Sequence, residues 1–295
     1  MKRLAIVIVN YNSLRYLLDC LESLQRYAPA VDFGVVVVDN ASSDPCDLSL
    51  IESRFPQTRL IRHEQNLGFS RGCNRGIREL DAEYYLLLNP DSHLHEGTID
   101  RCLEFLSSRP EIGILGCRVL NPDGTLQRAC RRRIPRPGSA LFRLLGLNRL
   151  FPRSRRFGAY NFEDRPPDRS HQVEAVSGSF LLFRHEVLET SGFLDEEFFL
   201  YGEDLDFCYR AAKAGWKIYY FADAVVTHMK RGSSSTDPHL ANYHFYDAMR
   251  IFYRKHFQER SNAVERAVIF GAIRILSWIS TQRLRLGRGG VGSKG

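Results

Sequence analysis

Two acidic clusters and four short polar turns hold the residues best suited to chemistry. Asp91 follows the apolar run 84–88 on a turn that Pro90 stiffens. Such a turn is a rigid mount for a hard oxygen ligand of the kind Mg²⁺ or Mn²⁺ takes, with positions left for phosphate and water. Further along, Glu203, Asp204 and Asp206 put three carboxylates into four residues. Leu205, Phe207, Ala211 and Ala214 suit one face of a helix that begins near Glu203. The acids then lie in its first turn, where the helix dipole favours them and Asp206 reaches Arg210. Capping alone needs fewer carboxylates than this, and Asp204 is placed to act as general base on a hydroxyl.

These groups need elements to hold them. Four β-branched or apolar runs, 4–9, 35–38, 59–62 and 84–88, alternate with amphipathic stretches, the βαβ signature of a parallel sheet. Ligands of such sheets bind at the carboxyl ends of the strands. The residues there are Asn10-Tyr11-Asn12-Ser13, Asp39 to Asp44, Asn66-Leu67-Gly68 and Asn89-Pro90-Asp91-Ser92. Any one of these reads equally well as a turn or helix cap. Four of them converging on one edge point to a ligand.

Beyond the sheet, the run 112–120 meets Asn121-Pro122-Asp123-Gly124, which predicts a hairpin returning over 125–129. Residues 173–184 predict two strands around Ser177-Gly178-Ser179, followed by a short helix from His185. The net charge of +7 is concentrated between Arg128 and Arg156, which hold ten arginines and no Asp or Glu. That stretch suits an anionic membrane surface or a solvated loop; the absence of interleaved aromatics and of any DNA-reading motif argues against nucleic acid. Helical stretches fill 239–257 and 263–286. In the second, residues 267–279 are apolar except Arg274 and Ser277, too short to span a bilayer; the helix suits either an interfacial position or packing on the domain. Seven scattered cysteines without a Cys-x-x-Cys pair, and an apolar start only six residues long, favour a reducing, cytoplasmic setting without a leader.

The ordered segments IVIVNYNS from Ile6, VVVVDNASSD from Val35, NLGFSRGCNRGI from Asn66, YLLLNPDS from Tyr85, VSGSFLLFR from Val176, LDEEFFLYGEDLDFCYRAAKAGW from Leu194 and VTHMKRGSS from Val226 together resemble glycosyltransferase family 2, in particular its bacterial rhamnosyltransferase-like branch. The resemblance covers roughly residues 3–235. It implies an α/β GT-A fold: a mostly parallel central sheet flanked by helices, with a nucleotide-sugar half over 1–120, an acceptor half over 121–235, and a helical appendage over 236–295. It implies an inverting transferase that uses a divalent metal, Mg²⁺ or Mn²⁺, and a nucleotide-diphosphate sugar. By the same resemblance Asn10 and Tyr11 sit by the base and Asp39 binds base or ribose. Asn66, Gly68, Arg71 and Asn74 line the nucleotide-sugar pocket. Asp91 is the last acid of the family's DxD motif, whose first position here is Asn89, so the metal has fewer charged ligands. Glu203-Asp204 is the catalytic acidic pair, with Asp204 the base and Glu203 assisting, and His228 meets the metal or the diphosphate.

The resemblance further implies a glycan or lipid-linked acceptor in cell-surface polysaccharide synthesis, and a peripheral position on the inner face of the plasma membrane. dTDP-rhamnose leads the donors, with UDP-galactofuranose and UDP-glucose behind it. A nucleotidyltransferase would need a glycine-rich basic loop after the first strand, where Asn10-Tyr11-Asn12 stands instead. A binding-only scaffold predicts binding without turnover, against which Asp91 and Glu203-Asp204 weigh.

Overall fold

Three parallel crossovers arrange the first four strands so that their polar ends share one edge. β1 (Lys2–Asn10) lies between β2 (Phe33–Asp39) and β4 (Ala82–Leu88), with β3 (Thr58–Arg62) outside β2, all parallel. Asn10 pairs with Asp39 in register, and Asp39 with Arg62. Helices α1 (Leu14–Arg26), α2 (Ser49–Arg54) and α3 (Phe69–Ile77) make the returns. β1 and β4 are buried on both faces, which is why they read as continuous apolar runs. Gly72 lets α3 lie close on β1, because a Cβ there would stand 2.8 Å from Val9. The computed structural model describes residues 1–43, 48–136, 159–229 and 237–287.

The second half extends this sheet with mixed polarity. Its elements are β5 (Ser92–Leu94), α4 (Thr98–Ser107), β6 (Ile112–Leu120), β7 (Arg131–Arg132), β8 (His171–Val173), β9 (Ala175–Val176), β10 (Phe180–Arg184), α5 (His185–Ser191), α6 (Glu203–Lys213) and β11 (Lys217–His228). The order is β3-β2-β1-β4-β10-β6-β11-β5, and β8 adds to β11. β10 runs antiparallel between β4 and β6, while β11 is parallel to β6. The strands on either side of Ser177-Gly178-Ser179 do not pair with each other: β9 joins β7, and β10 enters the main sheet. The turn at 121–124 closes, with Gly124 N–H donating to Asn121 O at 2.9 Å. The strand expected over 125–129 shrinks to a single bridge between Leu120 and Leu126, because buried Gln127 turns its side chain inward.

Two long helices complete the described chain, α7 (Pro238–His256) and α8 (Ala263–Arg285). Asp237 caps α7 on the His239 and Leu240 amides, and an Asn262–Glu265 capping box starts α8. Ala248, Ile251 and Phe252 of α7 belong to the same hydrophobic core as the sheet. α8 packs on α7, through Phe270 against Tyr253 and through Asn242 to Ser280 and Thr281. Among the described residues no helix is long and apolar enough to cross a membrane.

Candidate active site

The ends of β1, β2 and β3 form a hydrogen-bonded floor. The Asn10 side chain donates to Asp39 Oδ1 at 2.8 Å and accepts from the Ser13 hydroxyl. Asp39 is fully buried, and its oxygens also accept from the Ser42 hydroxyl and amide at 2.5 and 3.1 Å. Arg62 Nε stands 3.7 Å from its Oδ2. Asn40 donates to Gly68 O at 2.9 Å and meets His63 Nδ1. Asn66 Oδ1 accepts from the Gly68 amide at 3.0 Å. Gly68 has φ of +88° and lies against Phe199, where a Cβ would come within 2.7 Å of the Phe199 carbonyl; only glycine fits both constraints. Tyr11 is half-buried at the end of β1.

Asn74 and Arg71, on α3, bond to the segment before α6. Asn74 is buried and exchanges hydrogen bonds with the Leu194 backbone and with Glu196, and Arg71 pairs with Glu196 at 3.4 Å. Both therefore brace the 194–196 segment that leads toward α6.

Asp91 and His228 meet across the sheet, because the end of β11 pairs with β5 directly after the Asp91 turn. Their Oδ1 and Nε2 are 2.9 Å apart. Asn89 Nδ2 lies 3.1 Å from the same Nε2. Gln127 Nε2 donates to the His228 carbonyl at 2.6 Å, which turns Gln127 Oε1 to His228 Nδ1 at 2.9 Å. Gln127 Oε1 can accept from Nδ1 and so orient the ring with Nε2 toward Asp91, as orienting partners of metal-bound imidazoles do. A separation of 2.9 Å matches the roughly 3 Å between neighbouring ligands of an octahedron with bonds of about 2.1 Å. One carboxylate oxygen and one imidazole nitrogen at this spacing fit a divalent cation. Among the described residues no third His, Cys, Asp or Glu joins them, which leaves the other positions to phosphate and water. A hollow of about 640 Å³ opens beside Asp91, bounded by Tyr16, Asp19 and Glu22 of α1 and by His93 and Met229.

The acidic pair opens α6 behind Gly202, whose φ of +83° turns the chain into the helix. Asp204 Oδ2 accepts from the Gly178 amide at 2.9 Å and from Arg132 Nη2 at 2.6 Å, and Arg132 also donates to Val176 O. Glu203 is buried, and its Oε2 has no hydrogen-bond partner among the described residues. Burial, and next the charge of Asp204, push its carboxyl up to about 8. Burial thus disfavours the charged form of Glu203, while the carboxylate of its neighbour Asp204 faces Arg132. The 177–179 loop ties the two halves together. Gly178 holds Asp204, while the Ser179 carbonyl accepts from the Asn89 amide and the Ser92 hydroxyl at 3.2 Å each.

Gln127, Arg132 and Gly178 escape a reading of the sequence as individual site residues. Arg132 hides within an arginine-rich stretch, and Gln127 follows an ordinary turn. The structure also changes the reading of that stretch. Arg131 is buried and donates to the Pro166 and Arg165 carbonyls, Arg132 meets Asp204, Arg133 meets Asp164 and Arg136 meets Glu174. Each of these four cations has a partner inside the protein. Arg143, Arg149, Arg153, Arg155 and Arg156 lie outside the described residues.

The family model for glycosyltransferase-like family 2 matches residues 2–237. The chain belongs to glycosyltransferase family 2. A relative in Mycobacterium tuberculosis, N-acetylglucosaminyl-diphospho-decaprenol L-rhamnosyltransferase, is 33% identical over 254 residues, 82% of this chain and 81% of its own length. The low-salt glycan biosynthesis hexosyltransferase Agl10 of Haloferax volcanii is also 33% identical, over 71% of this chain and 62% of its own. In three dimensions this family 2 chain is similar to S. aureus TarS 1-349, with a TM-score of 0.57 at 17% identity over 96% of the chain and 73% of that structure. It is similar too to the mannosyltransferase PcManGT from Pyrobaculum calidifontis, in complex with GDP-Man and Mn²⁺. There the TM-score is 0.56 at 18% identity, over 86% of this chain and 64% of the other. These likenesses establish the GT-A-like architecture: a mostly parallel sheet between helices, with a helical C-terminal region. The chain is a glycosyltransferase.

Proposed function

We propose that this transferase moves a hexose, rhamnose first, from a dTDP- or UDP-sugar to a lipid-linked glycan intermediate of cell-surface polysaccharide synthesis, with inversion at the anomeric carbon. The observation that carries the mechanism is the 177–179 loop, which fixes Asp204 through one residue and the Asn89–Ser92 turn through the next. The proton acceptor and the turn that faces the leaving group are thereby held on one frame, the kind of fixed orientation that lowers an in-line barrier. The mycobacterial relative supports rhamnose and a lipid diphosphate acceptor, and the TarS complex with UDP-GlcNAc and the PcManGT complex support a nucleotide-sugar donor.

In this reading Asp204 accepts the proton of the acceptor hydroxyl. The freed oxygen bonds to the anomeric carbon from the side opposite the diphosphate, and the carbon–oxygen bond to the diphosphate breaks with its electron pair leaving on the nucleotide. Arg132 and the Gly178 amide hold Asp204 in place for this. The Asn10–Asp39–Ser42 network and Asn66–Gly68 shape the base and ribose side, with Tyr11 beside them. Asp91 and His228 would hold a divalent cation, with Gln127 orienting the imidazole; such a cation supplies charge stabilisation to the departing diphosphate. Asn74 and Arg71 serve from behind, by bracing the approach to α6.

The test is a transfer assay with dTDP-rhamnose, UDP-galactofuranose and UDP-glucose against a polyprenyl-diphosphate N-acetylglucosamine acceptor, with product configuration read by NMR. The proposal expects one inverted product, made with dTDP-rhamnose and lost on chelation. A product of retained configuration, or nucleotide-sugar binding without any transfer, would overturn it.

A further inference from the structure

α8 covers one side on α7, with Ala272 buried and Ile273 and Leu276 half-buried, and leaves a second apolar stripe exposed. Its inward side bonds Ser280 and Thr281 to Asn242 and sets Phe270 on Tyr253. Its outward side carries Val264, Val268, Ile275 and Trp278, with Gly271 between them. These fall at intervals of four, three, four and three, which is one stripe along a helix. Trp278 is 64% exposed, Ile275 59% and Val264 72%. An exposed apolar stripe of this kind is the surface that a further partner would cover.

Charge identifies the partner. Arg274 and Arg285 flank the stripe, and no Asp or Glu occurs from Arg266 to Gly287. At 23 residues the helix is about 35 Å long. Its apolar stripe is one residue wide and flanked by Arg274, so it suits the plane of an interface and not the interior of a bilayer. Tryptophan has the amphipathic ring that settles at headgroup level. The antiparallel pairing of Asn242 with Ser280 and Thr281 also sets the Trp278 end beside the start of α7, where Leu240 and Tyr243 are exposed as well.

We infer that the outward face of α8, Val264, Val268, Ile275 and Trp278 with Arg274 and Arg285, docks the transferase flat on an anionic lipid surface. This deepens the lipid-linked acceptor reading and rests on it for its purpose, since the docked end would meet the acceptor where it is membrane-bound. Arg131, Arg132, Arg133 and Arg136 are not needed for it, because each has a partner inside the protein.

The experiment is vesicle binding by the full chain, using phosphatidylglycerol–phosphatidylcholine and pure phosphatidylcholine vesicles. The difference in emission between wild type and Trp278→Phe isolates Trp278 from Trp216, the other of the two tryptophans. The inference expects Trp278 emission to shift to shorter wavelength and to be quenched by brominated lipid on anionic vesicles only. Arg274→Gln and Arg285→Gln should each weaken binding about fivefold, and Ile275→Ser with Trp278→Ser should abolish the apolar component. Nucleotide binding by each variant verifies folding. Unchanged Trp278 emission on anionic vesicles overturns the inference, as does equal binding to neutral vesicles. Sedimentation showing a dimer that Ile275→Ser with Trp278→Ser dissolves would assign the face to a second copy, and overturns it too. Docking without transfer to any lipid-linked acceptor would sink the acceptor reading while leaving the docking face in place.

Discussion

Asp204 is surrounded by donors that fix where its carboxylate can point: Arg132 and the Gly178 amide on one oxygen, the Leu205 amide on the other. Asp204→Asn keeps much of the shape and removes the proton acceptor. Transfer should fall by about 10²–10⁴-fold, while nucleotide-sugar binding measured by calorimetry stays within a few-fold of wild type. More than a tenth of wild-type transfer would remove Asp204 from the role of base. Its neighbour makes a different prediction. Glu203 titrates near 4.5 when unfolded and about 8 in the fold, because burial and then Asp204 disfavour its charge. The folded state therefore binds the extra proton between those values. Stability from this group is full below the lower value and is lost as pH rises through the upper one. Denaturant melts from pH 5 to pH 8 should show that decline in wild type and a flatter profile in Glu203→Gln; identical slopes would contradict it. Asp91 and Asp204 are legible in sequence because a strand end and a helix start announce them locally. Gln127 and Arg132 are not, since they act on His228 and Asp204 at separations of 101 and 72 residues.

The elements that hold these residues were nearly all written in local periodicity. The buried strands β1, β2 and β4 are apolar throughout, and the acids of α6 stand in its first turn as dipole and capping rules require. Periodicity cannot say which strand pairs with which, so the insertion of antiparallel β10 between β4 and β6 came only with the fold. Nor does it show how α6 is anchored. Buried Asp206 meets Arg210 Nε and His256 Nε2 at 2.7 Å each, and thereby joins α6 to the end of α7. Asp206→Ala leaves two cationic or polar groups without their acceptor. It should cost about 3–5 kcal/mol of unfolding free energy, read from urea melts. A loss below 1 kcal/mol would show that the α6–α7 joint is maintained by apolar packing alone.

At the scale of the molecule, one core unites the sheet with α7, whereas α8 lies on α7. A chain ending after Phe257 should fold and bind nucleotide, and a chain ending at 235 should aggregate or melt much earlier, since it uncovers the surface that Ala248, Ile251 and Phe252 close. Equal melting temperatures for the two truncations would separate α7 from the catalytic unit. The resemblance in sequence points to the Asp91 turn and to the acidic pair, and the fold joins the two through a single loop. The most direct test of that account is calorimetric titration of dTDP and UDP into wild type and Asp91→Ala, with Mn²⁺ and with chelator. The account predicts tight binding to wild type that needs Mn²⁺, and binding to Asp91→Ala that is weak and indifferent to it; metal-dependent binding that survives in Asp91→Ala would contradict it.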